Sequence, residues 1–165
     1  MFLRRLVVVV GLLLIPVAAG ADGHRADLFF GFSLAEGSWL KGFHVSGEHL
    51  LPGLEKHVFL VGDYSVHQGT RHVFQSGLNF SKDGGPVGLS GRVLLGGVSD
   101  DAGTDLTLAV GGGFQVKIPA SGSTRAAKPH WVLHVQADYM QRKGSNDGFV
   151  RVSVGALVRF PRVRK

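Results

Sequence analysis

The fold is decided by residues 105–118, which read DLTLAVGGGFQVKI. The even positions of this stretch are apolar apart from one glycine, and the odd positions are small or polar. A β-strand sends alternate side chains to opposite faces, so one face of the segment is apolar and the other is polar. The stretch is therefore predicted to form one long strand.

Two later segments alternate in the same way. Residues 131–141 set Trp131, Leu133, Val135, Ala137 and Tyr139 against His134, Gln136 and Asp138, and residues 149–160 set Val150, Val152, Val154, Ala156, Val158 and Phe160 against Arg151, Ser153, Gly155 and Arg159. Five further strands are predicted at 27–34, 42–50, 57–67, 72–81 and 87–98. Clusters rich in Gly, Pro, Asp and Ser separate the segments, and the longer interval 119–129 is predicted to be a loop. The fold class predicted is all-β, an eight-stranded antiparallel up-and-down barrel.

The strand lengths and the polar face favour a membrane barrel over a soluble sandwich or a lipocalin-like ligand-binding barrel. The runs reach about 10 to 13 residues, whereas soluble strands are mostly about 5–6 residues long and a tilted strand needs about 9–11 to cross a bilayer. The polar face is mostly Gly, Ser, Gln and Asn, not the Lys and Glu of a water-facing surface. The soluble ligand-binding barrel remains the alternative.

Eight strands enclose an interior just wide enough for side chains to fill. Buried charges need partners of opposite sign, so the polar face predicts a network inside the barrel and no open pore. The predicted members of this network are Glu48, Asp63, Arg92, Lys117, Gln136, Asp138, Arg151 and Arg159. Four short external loops are expected around residues 35–40, 67–71, 99–104 and 142–148.

Residues 1–21 have the layout of a secretory signal peptide. Arg4 and Arg5 precede the apolar run Leu6–Val17, and Ala19-Gly20-Ala21 supplies the small residues of a cleavage site. The run is shorter than the roughly 20 residues of a membrane-spanning helix. We expect cleavage after Ala21, with Gly20 as the alternative, and a barrel domain over 22–165.

The composition excludes several classes of protein. Cysteine is absent, so there is neither a disulfide framework nor a lipid-bearing cysteine. The net charge is +6, and +4 once Arg4 and Arg5 are removed, with much of it in the tail 159–165. Such weak clustering of charge in an exported chain argues against nucleic acid as a partner, and the tail is interpreted as solvated. No cofactor is indicated.

The segments Ala109–Val116, Val135–Tyr139 and Val150–Phe160 resemble small bacterial outer-membrane β-barrel proteins of the OmpA-like or OmpX-like type. The resemblance covers most of the chain in layout, and specific residues over its last third. It implies a location in the outer membrane of a Gram-negative-type bacterium, contact with outer-membrane lipid, and assembly by the barrel-insertion machinery. It also implies that Phe160 is the aromatic residue of the assembly signal. In the family this aromatic ends the chain, whereas Pro161–Lys165 follow it here.

His44-Val45-Ser46 resembles the His-x-Ser pair of outer-membrane lipid A deacylases, with Glu48 on the same face as an orienting acid. The face assignment points all three into the lumen, away from lipid, and a hydrogen-bond network explains them equally well. We therefore expect no enzymatic activity and a structural or interaction role through the external loops. A lipid-modifying barrel enzyme remains the alternative.

Two further patterns carry no predicted chemistry. His67 and His72 flank one tight loop without a carboxylate-rich or cysteine-rich cluster, so no metal site is predicted. Gly111–Gly113 lacks the Lys-Ser/Thr of a phosphate-binding loop. The triple glycine is interpreted as relieving crowding or bending the strand.

Overall fold

The computed structural model describes residues 26–35, 40–51, 57–68, 70–101, 103–118, 130–144 and 148–160. The predicted signal peptide, the loop 119–129, the tail 161–165 and parts of the predicted external loops lie outside these residues. Within them no helix is long and apolar enough to span a membrane.

Eight antiparallel strands form the fold. They are β1 (Ala26–Ala35), β2 (Leu40–Leu50), β3 (Val58–His67), β4 (Arg71–Gly84), β5 (Val87–Asp100), β6 (Gly103–Lys117), β7 (His130–Arg142) and β8 (Gly148–Phe160). Each strand pairs with the next along the chain, and β1 pairs with β8 to close the barrel. The predicted eight-stranded antiparallel barrel is confirmed.

The largest difference from the predicted boundaries lies at the β4–β5 hairpin. Lys82 and Asp83 follow the predicted strand 72–81 and have the composition of a turn, yet the ladder continues through them to the pair Gly84↔Val87. The turn is confined to Gly85 and Pro86, and Gly85 adopts a φ of 77° that favours glycine. A tight turn with a suitable glycine allows polar residues to stay in the ladder.

The antiparallel order gives the barrel two distinct ends. The terminal end is where β1 begins and β8 ends, and it holds the connections 51–57, 85–86 and 118–129. The loop end holds the connections 36–39, 68–70, 101–102 and 143–147. The longest connection of the chain therefore joins strands at the terminal end.

The side chains alternate between the barrel interior and its outer wall. In β3, for example, Asp63, Ser65 and His67 are buried, while Leu60 is exposed. All eight strands contribute to the exposed apolar wall, which includes Phe32, Phe43, Leu60, Phe74, Leu89, Leu108, Leu133 and Val154. The apolar faces predicted from the sequence thus form the outside of the barrel.

One row of register partners brings charged residues together across four strands. Arg92 of β5 is opposite Gly111 of β6, Gly111 is opposite Asp138 of β7, and Asp138 is opposite Arg151 of β8. Backbones two strands apart are separated by about 9–10 Å. The long Arg92 side chain spans this distance to Asp138 only if β6 presents no side chain between them. A Cβ atom on Gly111 would overlap Asp138 Oδ1.

Gly111→Ala is therefore expected to lower the free energy of unfolding by about 1–3 kcal/mol, the usual cost of overpacking. Urea titration of the refolded barrel measures the change. Gly91→Ala is the matched control in the neighbouring strand, because a Cβ atom there has no neighbour closer than 3.9 Å. Equal effects of the two substitutions would contradict the steric explanation.

Candidate functional site: a charge network inside the barrel

The barrel interior is more polar than apolar. Among the described residues, 21 polar or charged side chains are buried against 12 apolar ones. A soluble protein has the opposite distribution, with Asp, Glu, Lys and Arg almost never fully buried unless paired. The buried polar and charged side chains must therefore find their partners inside the barrel.

Four charged side chains form the centre of the interior, and we call them the charge tetrad: Asp63, Arg92, Asp138 and Arg151. Arg151 Nη1 lies 2.8 Å from Asp63 Oδ1, and Arg151 Nη2 lies 3.0 Å from Asp138 Oδ2. Arg92 Nη1 lies 3.0 Å from Asp63 Oδ2, and Arg92 Nε donates to Asp138 Oδ1 at 2.7 Å. Each carboxylate thus meets both guanidinium groups.

The topology places the four residues on opposite walls of the barrel. Asp138 and Arg151 are direct register partners on β7 and β8, and Arg92 reaches them over Gly111. Asp63 comes from β3, which lies across the lumen from β7 in the closed order of strands. The tetrad therefore ties the two halves of the barrel together through its interior.

The tetrad is balanced in charge and almost fully shielded from solvent. The side chains of Asp63, Asp138 and Arg151 are 0% exposed, and that of Arg92 is 3% exposed. Desolvating one ion costs several kcal/mol, which only good geometry and further hydrogen bonds offset. Two acids and two bases in mutual contact meet this requirement, and bidentate guanidinium–carboxylate contacts are the strong kind.

Polar neighbours add hydrogen bonds to three members of the tetrad. His44 Nε2 lies 2.7 Å from Asp63 Oδ2, and Gln136 Nε2 donates to Asp138 Oδ2 at 2.9 Å. Arg151 Nη1 also donates to Ser65 Oγ at 2.8 Å. Because each neighbour fixes one tetrad member, the arrangement has little freedom to exchange partners.

Glu48 and Arg159 make separate contacts. Asn79 Nδ2 donates to Glu48 Oε1 at 2.9 Å. Arg159 lies nearer the terminal end, where its Nε donates to Asp27 Oδ2 at 3.2 Å and its Nη2 donates to Gln115 Oε1 at 2.8 Å. Arg159 Nη1 also pairs with Asp83 at 3.2 Å.

Seven of the eight side chains predicted for the network are buried, and Lys117 is not. Lys117 is the last residue of β6 and is exposed. The alternation gives Lys117 the correct parity for the lumen, but the strand has reached the rim of the barrel there. Its predicted lumen position is therefore wrong, because parity determines the face of a residue and not its depth.

Apolar side chains above and below the tetrad were not singled out from the sequence. Phe29 packs between His44 and His134, with ring centroids 4.9 and 5.3 Å apart. Towards the loop end, a buried cluster includes Val73, Leu94, Val98, Met140 and Phe149. Their inward parity was available in the sequence, but an expectation of a polar lumen gave no reason to assign them there.

The guanidinium groups of Arg71 and Arg142 cover the buried Phe149 ring at the loop end. Their Cζ atoms lie 5.6 and 5.9 Å from its centroid. Arg142 also pairs with Asp100 and Asp105 at 3.3 Å each. The lumen thus ends in an apolar layer under a charged rim.

The residues considered for catalysis and metal binding are held in other contacts. His44 is fully buried and bonded to Asp63, so its Nε2 is not directed at Ser46. His67 faces the lumen, and its Nε2 lies 3.1 Å from Ser65 Oγ. His72 lies on the opposite face of the sheet, where its Nδ1 is 2.8 Å from Tyr64 Oη. No group of three or more potential metal ligands occurs in the described part of the chain.

A double-mutant cycle tests the coupling within the tetrad. Asp138→Asn leaves two guanidinium groups facing one carboxylate and is expected to cost about 3–5 kcal/mol of unfolding free energy. Arg92→Gln restores the charge balance, so the double variant is expected to be more stable than additivity predicts, by about 1–3 kcal/mol. Urea titration of all four proteins gives the coupling energy.

Ser153→Ala is the control for this cycle. Its hydroxyl is buried and has no hydrogen-bond partner within the described residues, so its removal is expected to change stability by less than about 0.5 kcal/mol. Strictly additive losses for Asp138 and Arg92 would show that the two residues contribute independently.

Comparison with known proteins supports the fold alone. No family model and no curated protein sequence matches the chain. The chain is similar in structure to Neisserial surface protein A, with a TM-score of 0.51 and 17% identity over 84% of this chain and 96% of that one. It is also similar to the Yersinia pestis outer membrane protein Ail, with a TM-score of 0.52 and 14% identity over 83% of this chain and 99% of that one.

A designed protein has the same architecture. The de novo protein TMB2.3 matches with a TM-score of 0.51 and 15% identity, over 86% of this chain and 96% of that one. These identities are low, so the shared feature is the arrangement of strands and not the chemistry of particular residues. The chain has the closed eight-stranded fold that bacterial outer-membrane barrels also have.

Proposed function

We propose that this protein is a bacterial outer-membrane barrel of the OmpA-like or OmpX-like type, with its apolar wall in lipid and its lumen filled by side chains. One observation carries the proposal: large apolar side chains are exposed on all eight strands while the paired charges are buried. Exposing such a wall to water is unfavourable by about 25 cal/mol for each Å² of apolar surface. Lipid removes that cost, and the closed ladder satisfies the backbone.

The aromatic residues of β7 fit the two interfaces of a bilayer. Trp131 lies near the terminal end and Tyr139 near the loop end, and both are exposed on the outer wall. Eight residues of strand separate them by about 27 Å, and a tilt near 40° leaves about 20 Å along the barrel axis, close to the apolar band of membrane barrels. Interfacial Trp and Tyr are typical of such barrels.

The proposed role is structural or interaction-based, through the connections at the loop end. These connections are short, from two residues at 101–102 to five at 143–147. Catalysis is not part of the proposal, because His44, Ser46 and Glu48 are buried away from the wall that would meet a lipid substrate. The proposal also includes export by a cleaved signal peptide and insertion by the barrel-insertion machinery, with exposed Phe160 at the end of β8 as the aromatic signal.

Val154→Arg tests which face meets lipid. Val154 lies at the middle of β8 and is exposed, so an arginine there is expected to cost about 2–4 kcal/mol near the bilayer midplane. Val158→Arg is the control on the same face closer to the terminal end, with an expected cost of about 0–1 kcal/mol. Both values come from denaturant titration in lipid vesicles, and a harmless Val154→Arg would indicate a wall that faces water.

Planar-bilayer recording tests the closed lumen. The tetrad and the apolar layers beside it fill the interior, so the inserted protein is expected to form no large, stable conducting pores. Reproducible nanosiemens-scale steps from the purified protein would contradict this expectation. Detergent without protein and a heat-unfolded sample of the protein serve as controls.

A further inference from the structure

We infer that Arg71, at the loop-end mouth of the lumen, binds the carboxylate side chain of an acidic protein partner that approaches along the barrel axis. This inference rests on the proposed function, because it gives a chemistry to the interaction role of the loop end and takes the outer wall to be covered by lipid. The site consists of Arg71 above the ring of Phe149, beside the ion pairs of Arg142.

Arg71 differs from the other arginines of the described part of the chain. Four of these arginines form ion pairs with aspartate, namely Arg92, Arg142, Arg151 and Arg159. The side chain of Arg71 has no ion pair and no hydrogen bond, and its one interaction is with the ring of Phe149, 5.6 Å from its Cζ. A guanidinium group offers five N–H donors in a planar fork that matches a carboxylate. Among the described arginines, Arg71 is therefore the one whose charge has no counter-ion.

Arg142 engages the acids that lie near Arg71. Asp100 ends β5, the strand that pairs with the beginning of β4, where Arg71 lies. Asp100 nevertheless pairs with Arg142 Nη2 at 3.3 Å, and Asp105 of β6 pairs with Arg142 Nη1 at 3.3 Å. Arg142 covers the same Phe149 ring, at 5.9 Å. Two arginines thus share one ring, but both acids contact only one of them.

The guanidinium group of Arg71 is held in place without being enclosed. Its Nε is buried and has no acceptor within the described residues, whereas the residue as a whole is half-buried. Its Nη1 and Nη2 are not shut off in this way and remain as donors. Contact with an aromatic ring at this distance is attractive. Because the side chain is already ordered, binding a carboxylate costs less conformational entropy than it would at a mobile surface arginine.

The position of Arg71 determines the direction from which a ligand arrives. Arg71 precedes buried Val73 by two residues in β4, so both face the barrel axis and not the lipid around the wall. Val73, Met140 and Phe149 belong to the buried apolar layer beneath the mouth. This layer stops a ligand from passing deeper. The site therefore accepts the end of a side chain, while the rest of the partner stays outside the barrel.

A carboxylate suits this site better than a doubly charged anion. Attraction to the single charge of Arg71 grows in proportion to the charge of the ligand, whereas the Born cost of desolvation grows with the square of that charge. Arg142 and its two acids also carry a net negative charge, which adds repulsion against a second negative charge. A carboxylate is a more basic acceptor than a sulfate ester, and it pairs with arginine through two parallel hydrogen bonds.

Nuclear magnetic resonance of the arginine side chains tests the inference. The full barrel, labelled with ¹⁵N at arginine Nε, is placed in phosphatidylcholine nanodiscs, and the signals of Arg71 and Arg142 are assigned with Arg71→Lys and Arg142→Lys. The probe is N-acetylglutamate α-amide, which carries one side-chain carboxylate. N-acetylglutamine α-amide is the neutral control of the same size, and methyl sulfate tests a different monovalent oxyanion. Chloride keeps the ionic strength constant.

We expect the glutamate probe to shift the Arg71 signal along a saturable curve, with a midpoint at least about tenfold lower than that of methyl sulfate or of any shift at Arg142. The glutamine probe shifts neither signal. Arg142 is the matched control, because it covers the same ring but is paired with two acids. The double variant Asp100→Asn, Asp105→Asn removes those acids, and Arg142 is then expected to respond to the glutamate probe as well.

The outcomes separate this inference from the proposed function. If the protein enters the nanodisc but Arg71 responds no more than Arg142, or equally to the glutamate and glutamine probes, the inference is overturned and the proposed function stands. A stronger response of Arg71 to methyl sulfate would overturn the carboxylate as the ligand. If Arg142 stays silent in the double variant, the lack of a counter-ion does not explain binding, and the inference fails. A protein that does not enter the nanodisc contradicts the proposed function and the inference together.

Discussion

The ion pairs among Asp63, Arg92, Asp138 and Arg151 are the interaction on which the rest of the structure depends. Their burial is tolerable only because every charge meets two of opposite sign. Those contacts in turn require β3 to lie across the lumen from β7, and β6 to present glycine between Arg92 and Asp138. The closed barrel, the position of Gly111 and the inward orientation of the charges thus follow from one constraint.

Much of the fold follows from the alternation of the sequence, because a period of two is a local property of the backbone. The strands near Leu108, Leu133 and Val154 were predictable for this reason, as was the parity of Asp138 and Arg151. The depth of a residue along the barrel axis and the identity of its partner were not predictable, since both depend on the register between strands. Lys117 has lumen parity but lies at the rim, Phe29 fills a gap between two histidines, and Asp63 meets Arg151 from 88 positions away.

The two ends of the barrel differ in the lengths of their connections. The loop end combines short connections with nearly balanced charge around Arg142, Asp100 and Asp105. The terminal end has the longest connection of the chain, between β6 and β7. The interaction that we propose through the loop end would therefore use small surfaces close to the rim.

Site-directed spin labelling determines whether the apolar face of the strands is the wall that faces lipid. The chain contains no cysteine, so a single cysteine at Val150, Val152, Val154 or Val158 in β8 carries one nitroxide without background. In lipid vesicles we expect these labels to collide frequently with dissolved oxygen and rarely with an aqueous nickel complex, with the greatest contrast at Val154. Frequent collision with the nickel complex at Val152 and Val154 would show that this face of β8 lies in water and not in lipid.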